Sequence, residues 1–328
     1  MNQAFQEKLD MVKENCGTIL RWVRLVAIIT IFAAGRYGFA TEQQTEKQKL
    51  KISDIKTLGD LEYVPGGHER NKLDLYLPQQ ATGQGQNTDR LPLIIWVHGG
   101  AWMGGDKGNC PAVRFVHKGY AVASINYRLS QHAIFPAQIE DCKAAVRWLR
   151  ANADKYGLDP KRIGVWGSSA GGHLVALLGT TGDVKEFDKG ENLKFSSRVQ
   201  AVCDYFGPTD FLKIGELPSN IKHNAADSPE SKLIGGAILE NKEACRRANP
   251  ITYVTKDDPP FLIVHGDADL LVPHNQSELL YEALQKAGVQ AKLHIVKGGG
   301  HGGFKDPSID RMVEEFFGKY LMKLKTKS

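Results

Sequence analysis

The chain has 328 residues, of which 42% are hydrophobic and 24% are charged, as is typical of a globular protein with a sizeable core. This composition excludes a collagen, a coiled coil, a disordered chain and a protein with many membrane spans. The net charge of +5, from 42 Lys and Arg against 37 Asp and Glu, is too small to predict a nucleic-acid partner.

The first 40 residues have the pattern of a secretory signal peptide. Ten uncharged, mainly apolar residues (25–34) follow two arginines, and the small residues Gly38 and Ala40 suit a cleavage site. The run is shorter than the roughly 20 apolar residues that span a membrane. We therefore predict an exported mature chain without a stable membrane span; an amphipathic helix or a short anchor is the alternative. Residues 41–70 are predicted to be a solvated leader.

Apolar runs typical of strands alternate with amphipathic helices along the rest of the chain. The predicted strands are 73–77, 93–97, 122–125, 163–166, 199–205, 261–264 and 293–296, and the predicted helices are 139–153, 170–178, 277–286 and 309–323. This order predicts an α/β fold, with a mostly parallel sheet and helices on both faces, in one domain over 71–325. A segment near 208–250, rich in Pro, Gly and mixed charge, is predicted to be a short cap.

A loop of small residues follows the strand predicted at 93–97. It reads HGGAW over residues 98–102, and small side chains allow backbone N–H groups to approach a reacting carbonyl oxygen. The residues predicted to form an oxyanion hole are Gly99, Gly100, Ala101 and Ala170. Which amides of the loop donate stays open. We expect His98 to hold the loop by a hydrogen bond, and Trp102 either to floor an acyl pocket or to cover the core.

The motif G-x-S-x-G lies between a predicted strand and a predicted helix, at residues 167–171. That context is the one in which the central serine stands on a strained strand-to-helix turn with its hydroxyl exposed. We therefore predict that Ser169 is a nucleophile, whereas its neighbour Ser168 packs against a strand. The alternative is a glycine-rich turn with a capping serine.

A serine hydroxyl needs a base to take its proton and an acid to orient that base. His301 lies in a glycine-rich loop after the last predicted strand, from which it can reach across the sheet, and it is the predicted base. Asp269 follows the strand predicted at 261–264 and is the predicted acid. Asp267, which is expected to fix the turn, and Asp204 are the rivals.

These motifs resemble those of α/β-hydrolase esterases and lipases with an HGG-x-W oxyanion loop, a group that includes acetyl-xylan-esterase-like and feruloyl-esterase-like proteins and the hormone-sensitive-lipase relatives. The resemblance runs from residue 72 to the His301 loop. It implies an α/β-hydrolase fold and a carboxylic-ester hydrolase that uses Ser169, Asp269 and His301. The loop departs from HGGG at Ala101, and the large N-terminal cap helices of the lipase relatives are not recognised.

The expected reaction passes through an acyl-enzyme and requires no cofactor or metal. The substrate is expected to be a small or polysaccharide-linked ester, with acetyl or feruloyl esters of plant polysaccharide as candidates. We expect short acyl chains because the cap offers few apolar residues to wall a pocket. These residues are Phe211, Leu212, Leu233 and Ile238. The alternatives are an arylformamidase or peptidase of the same fold and an inactive binding protein, and the oligomeric state stays open.

Four cysteines follow the predicted signal peptide, and an exported chain could pair them as disulfides. They are Cys110, Cys142, Cys203 and Cys245. Their spacing is irregular and contains no C-x-x-C motif, which disfavours a zinc site. Because a core of this size needs no covalent support, we expect free thiols, with disulfides as the alternative.

Overall fold

Eight strands form one sheet in the part of the chain that the computed structural model describes, residues 54–79 and 90–322. The strands are β1 (Ile55–Glu62), β2 (Lys72–Pro78), β3 (Leu91–Val97), β4 (Ala121–Ile125), β5 (Leu158–Ser168), β6 (Ala201–Tyr205), β7 (Phe261–Gly266) and β8 (Ala291–Val296). Their order is β1-β2-β4-β3-β5-β6-β7-β8. The β1–β2 and β2–β4 pairs are antiparallel, and the other pairs are parallel. The predicted, mostly parallel sheet is confirmed.

Helices cover both faces of the sheet, as predicted. They are α1 (Ala137–Ala151), α2 (Ala153–Tyr156), α3 (Ala170–Thr180), α4 (Pro229–Ile234), α5 (Lys242–Ala248), α6 (Asn275–Lys286) and α7 (Pro307–Leu321). One core cluster joins α1, α3 and α6 to the sheet. The second cluster joins α7 and the 3₁₀ helix Pro111–Lys118 to the opposite face. Both faces of the central strands are therefore buried, and for this reason β3 is a continuous apolar run.

The sheet begins earlier in the chain than the sequence predicts. The strand β1 lies inside 41–70, the segment predicted to be a leader, and it forms the edge of the sheet beside β2. Its register is irregular between Leu58 and Leu61, where Asp60 has a φ of 53°. Because β1 lies in this segment, the assignment of the whole of 41–70 to the leader is wrong. The irregularity explains why the sequence does not reveal the strand, since it breaks the alternation of apolar and polar residues that identifies one.

The structure tests the membrane and cysteine predictions only in part. The predicted signal peptide at 1–40 lies outside the described residues. Within the described ranges, no helix is long and apolar enough to cross a membrane. The four cysteines of those ranges are free thiols.

The parallel strands bring the loops of the predicted site to one edge of the sheet. Because β3, β5, β6, β7 and β8 run in the same direction, the loops at their carboxyl ends meet at that edge. The segment predicted as a cap, 208–250, contains the short helices α4 and α5. It packs onto the face that carries α1 and α3.

Candidate active site

The loop between β5 and α3 holds Ser169 in a strained conformation. Its φ of 56° and ψ of −123° are neither helical nor extended, and a residue in such a region costs about 1–3 kcal/mol. A Cβ on Gly167 would lie 2.3 Å from the Gly171 carbonyl oxygen, and a Cβ on Gly171 would lie 2.1 Å from that of Val97. The two glycines of the motif are therefore required by close backbone approach.

The structure places His301 and Asp269 in direct contact. The Nδ1 atom of His301 lies 2.7 Å from Oδ2 of Asp269, whose side chain is fully buried. The other oxygen, Oδ1, accepts hydrogen bonds of 2.8 and 3.0 Å from the N–H groups of Leu271 and Val272. These bonds fix the carboxylate, and the carboxylate in turn fixes the orientation of the imidazole.

A second histidine, which the sequence analysis did not single out, also contacts this carboxylate. The Nε2 atom of His265 lies 3.3 Å from Oδ2 of Asp269 and 2.8 Å from the carbonyl oxygen of Val272. Burial raises the pKa of the Asp269 carboxyl, but hydrogen bonds from His265 and His301 outweigh burial and hold that pKa well below its usual range. The carboxyl therefore stays ionised at neutral pH and can stabilise a protonated His301.

The two rival aspartates occupy other places. Asp267 accepts a hydrogen bond of 2.6 Å from the N–H of Gly298 and joins two loops. Asp204 is completely buried, and one of its oxygens accepts a bond of 3.0 Å from the N–H of Gly207. Burial raises the pKa of Asp204 to about 7. Neither forms a hydrogen bond with His301 in the described part of the chain.

The glycine loop after β3 has an unusual backbone. Gly100, Ala101 and Trp102 have φ values of 111°, 55° and 56°, and a Cβ on Gly100 would lie 2.4 Å from the carbonyl oxygen of Gly104. The loop residues 99–101 line one cavity together with Ala170. Ala170 is the first residue of α3, where helix geometry leaves N–H groups unpaired.

Two buried histidines hold this loop. His98 donates from Nδ1 to the Gly99 carbonyl oxygen at 2.7 Å, because its Nε2 accepts from Arg70 at 3.1 Å. Burial lowers the pKa of His98 to about 4. Trp102 donates to Nδ1 of His173 at 3.2 Å, and burial also lowers the pKa of His173 to about 4. Trp102 lines the cavity and is also part of the buried core. The two positions expected for it, beside the pocket and over the core, are therefore compatible.

Ser169 and His301 line a single cavity of about 490 Å³. Phe206, which the sequence analysis did not mention, also lines it, and its ring centroid lies 4.5 Å from that of His301. The remaining lining comes from the loops after β3, β7 and β8 and from the segment 208–230.

The side chains expected to wall the pocket are not those that do so. Phe211, Leu233 and Ile238 belong to the buried core, and Leu212 packs against it. The predicted cap contributes instead Pro208, Ile221, Pro229 and Glu230 to the cavity. The prediction of these four pocket residues is wrong because they pack the segment against the core. The sequence has no pattern that distinguishes an apolar residue buried in the core from one that lines a pocket.

One group of side chains away from the cavity has a composition that suits a metal. Ligand atoms of His68, Glu69 and His132 lie within 4.8 Å of one another in the described part of the chain. The Nδ1 atoms of the two histidines accept hydrogen bonds of 3.2 Å from the N–H groups of Arg70 and Leu129. A neutral imidazole that accepts at Nδ1 carries its proton on Nε2, so these bonds disfavour metal ligation.

Comparison with known proteins identifies the family of this chain. Residues 73–284 match the family model described as BD-FAE. The chain belongs to the BD-FAE family. The matched range includes the loop 98–102, Ser169 and Asp269, whereas His301 lies beyond it, so the placement of His301 rests on its contacts.

Relatives of this BD-FAE chain are esterases by name. Esterase LipQ of Mycobacterium tuberculosis (strain ATCC 25618 / H37Rv) is 32% identical over 268 residues, which cover 80% of this chain and 61% of LipQ. Esterase LipC of the same organism is 34% identical over 219 residues, which cover 66% of this chain and 54% of LipC. The chain therefore spans little more than half the length of these curated relatives.

A solved structure of a truncated carbohydrate esterase from gut microbiota is also similar. It shares 37% identity with this chain at a TM-score of 0.70, and the match covers 80% of this chain and 95% of that one. The family match and this structure confirm the predicted resemblance and the α/β-hydrolase fold.

Proposed function

We propose that this protein hydrolyses carboxylic esters with short acyl groups, and that Ser169 forms an acyl-enzyme with the help of His301 and Asp269. The observation that carries the proposal is that Ser169, at a positive φ, shares a cavity with His301, whose Nδ1 is held by Asp269 at 2.7 Å. The names of the relatives support ester hydrolysis.

The chemistry follows from the roles of these groups. His301 takes the proton of the Ser169 hydroxyl at Nε2 while its Nδ1–H donates to Asp269, and the serine oxygen attacks the ester carbonyl. Backbone N–H groups of the loop 99–101 and of Ala170 stabilise the negative charge on the carbonyl oxygen. His301 then protonates the departing alcohol, and water repeats the cycle on the acyl-enzyme.

The cavity supports short acyl groups, of about two to four carbons. Each buried methylene adds about 0.8 kcal/mol of binding only where the pocket has room for it. A chain that overruns a cavity of about 490 Å³, part of which the alcohol must occupy, displaces the carbonyl from the oxyanion donors. Acetyl esters of plant polysaccharide are the substrates we favour, since a carbohydrate esterase is among the similar structures. Feruloyl esters, the other expected candidates, have an acyl group larger than four carbons and are disfavoured by the same argument.

A chain-length series tests this function. We expect kcat/KM for p-nitrophenyl esters to be highest between acetyl and butyryl and to fall by octanoyl, with acetate release from acetylated xylan. A fluorophosphonate should label the wild type but not Ser169→Ala. A maximum at ten carbons or more would identify a lipase, and turnover of formanilides or peptides without esters would favour the other hydrolase classes. Labelling without any turnover would contradict the esterase proposal.

We also propose that the chain is exported and that its signal peptide ends near Ala40. The support is the uncharged run 25–34 after two arginines, with small residues at Gly38 and Ala40. N-terminal sequencing of the protein from the extracytoplasmic fraction is expected to begin at residue 41. An uncleaved chain retained with the membrane would support an anchor instead.

A further inference from the structure

Among the described residues that line the cavity of Ser169 and His301, Glu230 is the one with a carboxyl side chain. It is the second residue of α4 and only 2% exposed. Of the other residues that line the cavity, Ser168, Ser169 and His301 have polar side chains, and the indole N–H of Trp102 already donates to His173. The remaining lining residues are apolar or glycine. An acidic group at this depth, in such surroundings, needs a partner.

Only one of the two carboxyl oxygens of Glu230 has a partner. Oε1 lies 3.1 Å from Nδ1 of His223, at an ion-pair distance but without the alignment of a hydrogen bond. Oε2 is buried and has no hydrogen-bond partner among the described residues.

The hydrogen bonds around His223 leave Oε2 of Glu230 as an acceptor. Nε2 of His223 lies 3.1 Å from the Ser219 hydroxyl oxygen, which itself donates to the Leu270 carbonyl oxygen at 3.0 Å. Nε2 therefore carries a proton and donates to Ser219. A proton on Nδ1 turns the contact with the Glu230 carboxylate into an ion pair through Oε1, and Oε2 remains a free acceptor.

The helix gives no structural reason for this carboxyl group. Its N-cap is Ser228, whose hydroxyl oxygen accepts a hydrogen bond of 3.1 Å from the N–H of Ser231. A glutamate in the first turn stabilises a helix equally well from an exposed position. The burial of Glu230 beside the reacting groups is therefore not explained by the stability of α4.

We propose that Glu230 is a specificity-determining residue that accepts a hydrogen bond from a hydroxyl group in the alcohol part of the substrate. A short acyl chain has no hydrogen-bond donor, so the donor must belong to the alcohol. Esters of polyhydroxylated alcohols, such as sugars, are then preferred over esters of apolar alcohols of the same size. This inference rests on the proposed esterase function and specifies its substrate class.

Two esters of similar ring size test the inference. One is a monoacetylated methyl xyloside, which carries free hydroxyl groups, and the other is cyclohexyl acetate, which carries none. The readout is the ratio of kcat/KM for the first ester to that for the second, from acetate release, with concentrations taken from fluorophosphonate titration of active sites. In Glu230→Leu we expect this ratio to fall about 10- to 100-fold, the loss of a hydrogen bond to a charged group.

Glu230→Gln is the second variant, which keeps the volume and tests the inference if Glu230→Leu does not fold. Its amide oxygen can still accept, but without charge assistance, and we expect the ratio to fall about 3- to 10-fold. Glu240→Leu, on the exposed part of the same segment, is the matched control and is expected to keep the wild-type ratio.

The outcomes separate this inference from the function on which it rests. The ratio is unchanged if kcat/KM falls equally for both esters or falls for neither. An unchanged ratio in the Glu230 variants overturns the role of Glu230 and leaves the esterase function intact. Failure of the wild type to hydrolyse either ester or p-nitrophenyl acetate overturns both. A fall in the ratio for the Glu240 control equal to that for Glu230→Leu would also contradict the inference.

Discussion

The two sides of the cavity are built on different principles. One side consists of the loop 98–102 and the turn at Ser169, where glycines allow backbone segments to approach within distances that a Cβ would forbid. The other side comes from 208–230, where Pro208, Ile221 and Glu230 line the cavity through the packing of a long irregular segment. The first side is determined by local geometry and is suited to the chemical step, whereas the second is determined by distant packing and is suited to selection among substrates.

The largest expected effect falls on the glycine-rich side. Ser169→Ala removes the proposed nucleophile, and the loss of such a group typically lowers kcat about 10⁶-fold. The measurement is hydrolysis of p-nitrophenyl acetate, with thermal unfolding as the control for folding. Activity near that of the wild type in a folded variant would show that the turn does not carry the chemistry.

The next effect concerns Asp269, the proposed acid that orients His301. Asp269→Asn is expected to lower kcat about 10⁴-fold, because the amide stabilises the wrong tautomer of His301. Asp267→Asn is the matched control, since the Asp267 carboxylate accepts a hydrogen bond from the N–H of Gly298 and none from His301 in the described structure. The control is expected to keep most of its kcat, and a reversal of the two results would exchange the roles of the aspartates.

A substitution in the oxyanion loop tests whether close backbone approach matters for the rate. In Gly100→Ala the new Cβ meets the Gly104 carbonyl at 2.4 Å, so the loop must move. We expect kcat to fall about 10²- to 10³-fold, as after the loss of one oxyanion donor. Gly288→Ala is the control, because Gly288 also has a positive φ, of 79°, but an added Cβ would meet no atom within 4 Å. We expect this variant to have a lower free energy of unfolding and an unchanged kcat. Equal kcat values for the two variants would contradict the role of the loop.

The smallest expected effect is on stability and follows pH. The pKa values of His98 and His173 are lowered to about 4 by burial, against about 6.5 in an unfolded chain. Between these values the unfolded state binds more protons, so the free energy of unfolding falls as the pH decreases, by about 1.4 kcal/mol per pH unit for each imidazole.

Urea unfolding between pH 4.5 and 7.5 measures this dependence. His173→Gln is expected to have a shallower slope than the wild type below pH 6.5 and the same slope above it, because one buried imidazole has been removed. Equal slopes for the wild type and His173→Gln below pH 6.5 would mean that folding does not lower the pKa of His173.

The same contrast explains what could be predicted from the sequence. The parallel sheet and the positions of Ser169, Asp269 and His301 after strand ends follow from apolar runs and short motifs, which depend on neighbouring residues only. Phe206, His265 and Glu230 belong to no motif, because each reaches the site through contacts between segments far apart in the chain. The strand β1 was also not predicted, because its irregular register interrupts the alternation of residues. That strand is defined by its pairing with β2 and not by a pattern in its own sequence.

The strand order also fixes when the site can form. Ser169 follows β5, Asp269 follows β7 and His301 follows β8, so the site draws on strands that span more than half of the domain. Contacts of such long sequence separation slow folding, and a domain folds as a unit once its elements have been synthesised. A nascent chain that ends before β8 would have the serine turn but would lack His301, the proposed base, and it would expose the edge of β7 to pairing with other chains. The proposed activity therefore requires that synthesis has passed β8, and an arrest before β8 would leave the edge of β7 unpaired.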